Sequence, residues 1–214
     1  MGLQLLKSDL FGAVWQGEDG GRLLVIRDTS GARWWLAPFA RYLCRREARA
    51  LAALDALHGV PRLVGVDRRG LRREWIAGRP MQLARPRNAD YFRAARRLVF
   101  ALHRRGVAHC DLAKEPNWLV TPLGAPALVD FQLALVAPRR GRLFRALARE
   151  DLRHLLKHKR TYCPGSLTAR ERAVLARPGL ASRLWRATGK PVYLFVTRRL
   201  LGWADREGAG DRRF

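Results

Sequence analysis

The chain is 214 residues long, 48% hydrophobic, and carries a formal net charge of +24. That length suits one domain with a proper core, or two small lobes sharing a cleft, and the apolar content excludes a disordered chain. Basic charge on this scale attracts polyanions such as nucleic acid, anionic headgroups or phosphorylated glycans; most of it is arginine, so genome composition is the competing explanation.

No run of 18 apolar residues occurs, so no membrane-spanning helix is expected. The start "MGLQLLKSDL" has neither the apolar stretch nor the cleavage site of a signal peptide. Cys44, Cys110 and Cys163 are scattered and odd in number, which fits a reducing cytoplasm.

In chain order, residues 1–35 read as short strands broken by glycine turns: "GAVWQG", "DGGRLLVIRD" and "GARWWLA". Gly20-Gly21 between two apolar runs predicts a hairpin turn. Residues 41–58 read as a helix, with Leu43, Glu47, Ala50, Leu51 and Leu54 on one face. "VPRLVGVDRRGLRREWI" reads as two more strands around Asp67–Gly70. After the turn-rich joint "AGRP" at 77–80, residues 90–105 read as a second helix with Phe92, Ala95, Val99 and Leu102 on one stripe, Asp90 as N-cap and Gly106 as its stop. "REDLRHLLKHK" predicts a third helix, and one or two more are expected within 181–204. The fold class is therefore α+β: a strand-rich part over about 1–76, then a mostly helical part over about 77–214.

The chemistry concentrates in 107–132, "VAHCDLAKEPNWLVTPLGAPALVDFQ". "NWLV" and "ALVDF" flank a turn with Pro122, Gly124 and Pro126. A turn centred between Leu123 and Gly124 sets Val120 opposite Ala127 and Asn117 opposite Asp130. Asp111 lies just upstream, on a loop that must return near that end. Clustered carbonyl and carboxylate oxygens suit Mg²⁺, a hard cation that also takes phosphate and water ligands. The third oxygen-bearing side chain is free to accept a proton from an attacking hydroxyl, the layout phosphoryl transfer requires.

At these residues the chain resembles the protein-kinase-like superfamily. "HCDLAKEPN" resembles its catalytic loop and "LVDFQ" its metal-binding aspartate motif. The resemblance extends over roughly residues 5–160. Glu47 in "RREARALAAL" resembles the acidic residue of the N-lobe helix, and "REWIAGRPM", with Glu74, resembles the strand leading into the hinge. "EDLRHLLKHK" resembles a C-lobe helix of compact kinases, including RIO-type and lipopolysaccharide sugar kinases. The resemblance implies a two-lobed fold in a single domain, with ATP and Mg²⁺ or Mn²⁺ as cofactors. It implies that Asp111 orients and deprotonates the acceptor hydroxyl, Lys114 reaches the transferred phosphate, and His109 braces the loop. It assigns Asn117 and Asp130 to the metal, and Gly12, Lys7, Arg27, Glu47 and Glu74 to the nucleotide.

The chain departs from the family pattern at four places. Asn117 follows Asp111 by six residues rather than five, and Gln132 replaces a glycine. "KSDLFGAVW" has Lys7 and Asp9 where glycines are expected, and Arg27 stands at the lysine position of "LLVIRD". Either Arg27 or Lys7 must then meet the phosphates.

The favoured function is an ATP-dependent kinase whose acceptor is a sugar hydroxyl of lipopolysaccharide or a related glycolipid. The alternatives are a RIO-like protein serine/threonine kinase, a non-catalytic pseudokinase and a basic nucleic-acid module; no zinc-finger, RRM or KH signature supports the last. His154 and His158, four apart, read as solvated histidines rather than zinc ligands. "PRRGRLFR" at 138–145 reads as a basic loop that either docks an anionic acceptor or is simply solvated. "KPVYLFVTRRLLGW" reads as a helix packed on the C-terminal part, with contact to an anionic membrane surface as the alternative.

Overall fold

A computed structural model describes residues 3–176 as a mixed α+β structure. The expected helices in 181–204 and the "KPVYLFVTRRLLGW" segment lie outside the described residues.

Three strands come first: β1 (Gln4–Asp9), β2 (Gly12–Asp19) and β3 (Arg22–Asp28). The β2–β3 hairpin closes on Gly20 and Gly21, both in the left-handed region that a tight two-residue turn requires. "GARWWLA" is no strand. Its aromatic content suggested one, but Leu36 caps a helix that Pro38 helps to start, and the segment is turn and helix entry. That helix is α1 (Ala37–Ala53), which begins and ends earlier than periodicity suggested. Leu43, Glu47, Ala50 and Leu51 on it, and Leu54 just beyond, are buried as expected.

β4 (Leu63–Val66) and β5 (Gly70–Glu74) complete a five-stranded antiparallel sheet in the order β1-β2-β3-β5-β4. Two glycines clamp the end of β3. A Cβ on Gly70 would lie 1.7 Å from the Arg27 carbonyl oxygen, and one on Gly12 would lie 2.1 Å from the Asp28 carbonyl oxygen. Only glycine permits either approach.

β6 (Arg79–Pro80) and the short α2 (Met81–Ala84) lead to α3 (Ala89–Arg104). Asn88, not Asp90, caps α3: its side chain accepts from the Asp90 N–H, and Asp90 lies in the first turn beside the positive end of the helix. Gly106, at φ 72°, ends it as predicted. β7 (Val107–Ala108) pairs with β10 (Leu135–Val136), and β8 (Trp118–Val120) with β9 (Pro126–Leu128) and β6. α4 (Arg142–Tyr162) and α5 (Ala169–Ala176) follow. The basic stretch 138–145 is therefore only half loop, because Arg142 to Arg145 form the first turn of α4.

One apolar core joins these parts. Leu51 and Leu54 pack with Phe92, Val99 and Leu102 of α3, Trp118, Leu128 and Phe131, and Leu155 of α4. Among the described residues no helix is long and apolar enough to cross a membrane.

Candidate active site

The hairpin that carries the motif is one residue out of the expected register. Val120 pairs with Pro126, Leu119 with Ala127 and Trp118 with Leu128. The turn runs from Thr121 to Ala125, closed by Thr121 Oγ1 accepting from the Ala125 N–H at 3.0 Å, with Gly124 left-handed at φ 72°. The odd residue in this turn moves its centre to Leu123. Asn117 is therefore opposite Val129, whose N–H donates to the Asn117 carbonyl at 3.0 Å, and Asp130 falls beyond the strand. At φ 64° Asp130 sits in the left-handed region, which turns its side chain away from the ladder.

Asp111 and Asn117 meet directly. The Asn117 Nδ2 group donates to the Asp111 carbonyl at 2.9 Å and to Asp111 Oδ2 at 3.0 Å. Between them the chain makes a 3-10 turn at Glu115–Asn117 with Pro116 at its second position. Lys114 Nζ lies 3.1 Å from the same Oδ2. Burial raises the Asp111 pKa, and the Lys114 ammonium and Asn117 amide only partly offset it. Nδ2 is committed to Asp111, so the Asn117 amide oxygen is the end suited to a cation.

Asp130 is held charged. Burial alone would raise its pKa, but Arg27, Arg73 and the 2.8 Å hydrogen bond from Gln132 lower it below the ordinary carboxylate value. Asn117 offers an amide oxygen and Asp130 an ionised carboxylate, donor types that suit Mg²⁺. Among the described residues no three His, Cys, Asp or Glu side chains form a metal cluster.

Arg27, on β3, lies among carboxylates, and Lys7 lies apart from them. The Arg27 guanidinium is 3.4 Å from Glu47 on α1 and 4.0 Å from Asp130. Lys7 is on β1, largely exposed, 3.0 Å from Asp9. Glu47 is fully buried and also lies 3.2 Å from Arg73 on β5. Neither Glu47 oxygen makes an aligned hydrogen bond, so charge rather than geometry holds it. Burial raises the Glu47 pKa against the pull of both arginines. Burial also works against charge on Arg27, but Glu47 and Asp130 outweigh it and raise its pKa; the Arg73 pKa is lowered because burial dominates there. Two guanidiniums and two carboxylates balance in this cluster, and Arg73 had no sequence signal beyond one more arginine.

Gly12 begins β2 and is explained by its approach to Asp28. Glu74 ends β5, with its carboxylate 3.9 Å from Arg22.

His109 bridges the loop to the segment that follows β9: its Nε2–H donates to the Val129 carbonyl at 3.1 Å, and its ring packs on Phe131 at 4.5 Å between centroids. The loop is anchored from below by α4. Asp151, almost fully buried, accepts from the main-chain N–H groups of His109 at 2.8 Å and Cys110 at 2.9 Å, and from His103. His158 donates to the Leu112 carbonyl at 2.8 Å, and the Tyr162 hydroxyl to Glu115 at 2.8 Å. Positions 151, 158 and 162 are spaced seven and four apart, which is one helix face. His158 is therefore a buried structural histidine and not a solvated one; burial lowers its pKa, and burial lowers that of His154 to about 4. Cys110, at φ 65°, carries the loop through a conformation that the two N–H bonds to Asp151 secure.

A cavity of about 380 Å³ lies over the Trp15–Ile26–Arg72 row of the sheet; Arg27 is among its lining residues, but Asp111, Asn117 and Asp130 are not. No protein-family model matches the chain, and no curated protein matches it.

Proposed function

We propose that this chain is a compact, two-lobed kinase-like phosphotransferase that moves the γ-phosphate of ATP to a hydroxyl acceptor. The observation that carries the reading is Arg27, set 3.4 Å from Glu47 and 4.0 Å from Asp130. It ties the sheet and α1 to the segment that holds Asp111 and Asn117, so a cation, a metal-type carboxylate and a candidate base share one neighbourhood.

In this reading Asp111 Oδ1 accepts the acceptor's proton, since Oδ2 is taken by Asn117 and Lys114. The raised Asp111 pKa makes it a better base than an ordinary aspartate. The acceptor oxygen forms a bond to the γ-phosphorus while the β–γ bridging bond breaks and ADP leaves. Arg27 meets the α- and β-phosphates, and Lys114 offsets charge on the group in transit. Asn117 and Asp130 would hold Mg²⁺, which supplies charge neutralisation on the phosphates when bound. The net charge of +24 favours an anionic acceptor, and the acceptor proposed is a sugar hydroxyl of a lipopolysaccharide-like glycolipid.

Calorimetric titration with ATP tests this reading. Binding should strengthen at least about tenfold with Mg²⁺ in the wild type, and Asp130→Asn should remove that gain without unfolding the chain. Equal ATP affinity with and without the metal, or no ATP binding, overturns the reading.

A further inference from the structure

The turn leading into α1 and the exposed face of α1 are strongly aromatic. Trp34 is 88% exposed, and Trp35, Phe39 and Tyr42 each remain at least 44% exposed. Tryptophan left this open to water is unusual, and a contiguous exposed apolar patch marks an interaction site. The Phe39–Tyr42 part of this surface is contiguous. Phe39 lies 6.0 Å from Phe11 and 6.3 Å from Tyr42, and the Arg46 guanidinium sits 5.7 Å over the Tyr42 ring. The surface is also basic. Residues 29–46 contain the exposed Arg33, Arg41 and Arg45 and no acidic residue; Arg46 is held by the Leu133 and Ala134 carbonyls, and the next acid, Glu47, points into the buried cluster. Arg41 and Arg45 border a shallow depression with Val66 and Arg68; Asp67 also lines it, with its carboxylate accepting from the Arg69 and Gly70 N–H groups.

We infer that this face docks on the headgroup layer of an anionic phospholipid membrane. The residue types divide the work. Tryptophan and tyrosine rings settle at the boundary between headgroup and hydrocarbon, with the polar N–H or O–H outward. Exposed arginines gain from anionic headgroups, and the stripe between them buries apolar area. Charge complementarity selects an anionic partner. Shape then separates lipid from nucleic acid: single strands bind in grooves lined by stacking rings, whereas a helix face with its leading turn is convex. Exposed aliphatic Val66 has no ring face for a base to stack on, and gains only from hydrocarbon. The inference stands apart from phosphotransfer, because none of Trp34, Trp35, Phe39 or Arg41 belongs to the Asp111 site. It would set the candidate site beside a lipid surface where a glycolipid acceptor resides.

Co-sedimentation of the full chain with vesicles, without ATP, tests it. One vesicle set is phosphatidylcholine alone and the other contains about one part in three phosphatidylglycerol. The expected result is binding to the anionic set alone, weakened at least about tenfold by Trp34→Ser and by Arg41→Glu, and weakened by salt. Both residues are exposed, so melting should stay at the wild-type value. If Trp34→Ser lowers melting, Phe39→Ser is read in its place. Three results overturn the inference: no binding to anionic vesicles; binding unchanged by Trp34→Ser or Phe39→Ser together with Arg41→Glu, which moves the contact to other parts of the chain; or single-stranded nucleic acid bound through the same residues while vesicles are not.

Discussion

The Asn117 side-chain nitrogen binds both the main-chain carbonyl and the carboxylate of Asp111, at 2.9 and 3.0 Å. One amide therefore fixes the loop and aims the candidate base, while the Asp111 carboxyl remains largely buried with a raised pKa.

That raised pKa has a sign that can be measured. A carboxyl whose folded pKa exceeds its unfolded value holds its proton better when folded. Its contribution favours the fold below the unfolded value, near 4, and is lost as pH rises through the folded pKa. At neutral pH ionised Asp111 is thus a cost. Asp111→Asn should raise the melting temperature at pH 7, with the gain shrinking as pH falls through the folded pKa and gone below about 4. A variant that melts lower at pH 7 contradicts this.

Arg27 and Lys7 should differ sharply. Removing one preorganised charge donor with Arg27→Ala should cost about 2–4 kcal/mol of transition-state stabilisation, read from kcat/KM. Lys7→Ala should cost much less, because Lys7 is 63% exposed and paired with Asp9. A reversed order would place the phosphate cation on β1.

Much of the scaffold was legible because it is periodic. The buried faces of α1 and α3 follow from apolar spacing, and Gly20-Gly21 and Gly106 mark a turn and a helix end that require left-handed residues. The sequence set Asn117 opposite Asp130; its true partner Val129 was not legible, since Gly124 builds a turn with an odd residue count and shifts the ladder by one. The Trp34-Trp35 pair favoured a strand locally, but Pro38 and the apolar face of α1 overrode it.

Asp151 was missed for a related reason. In "REDLRHLLKHK" it is one acidic residue among several charges, and its weight appears only when His109 and Cys110 fold onto it. Its signal was faint: an acid on the face that also carries Phe144, Leu155 and His158. Asp151→Ala leaves two loop N–H groups without an acceptor and should cost about 2–5 kcal/mol in denaturant unfolding. Asp151→Asn keeps one acceptor oxygen and should cost less. Equal and small effects would mean that α4 does not hold the loop.

The glycine clamp on β3 makes a prediction independent of activity. Gly70→Ala would drive a methyl group into the Arg27 carbonyl oxygen and should destabilise by about 1–3 kcal/mol. Gly31→Ala faces open space and should stay within about 0.5 kcal/mol of wild type. Thermal melts of the two variants check the contrast.

The most direct measurement follows the γ-phosphate of labelled ATP, with Mg²⁺, into a panel of glycolipids, free sugars and proteins, for the wild type and Asp111→Ala. The expected result is transfer to a glycolipid sugar by the wild type, and a loss of at least about 10² in Asp111→Ala with ATP affinity unchanged. Full turnover by Asp111→Ala, or no transfer by the wild type to any acceptor, would contradict the assignment of this chain as a phosphotransferase acting through Asp111.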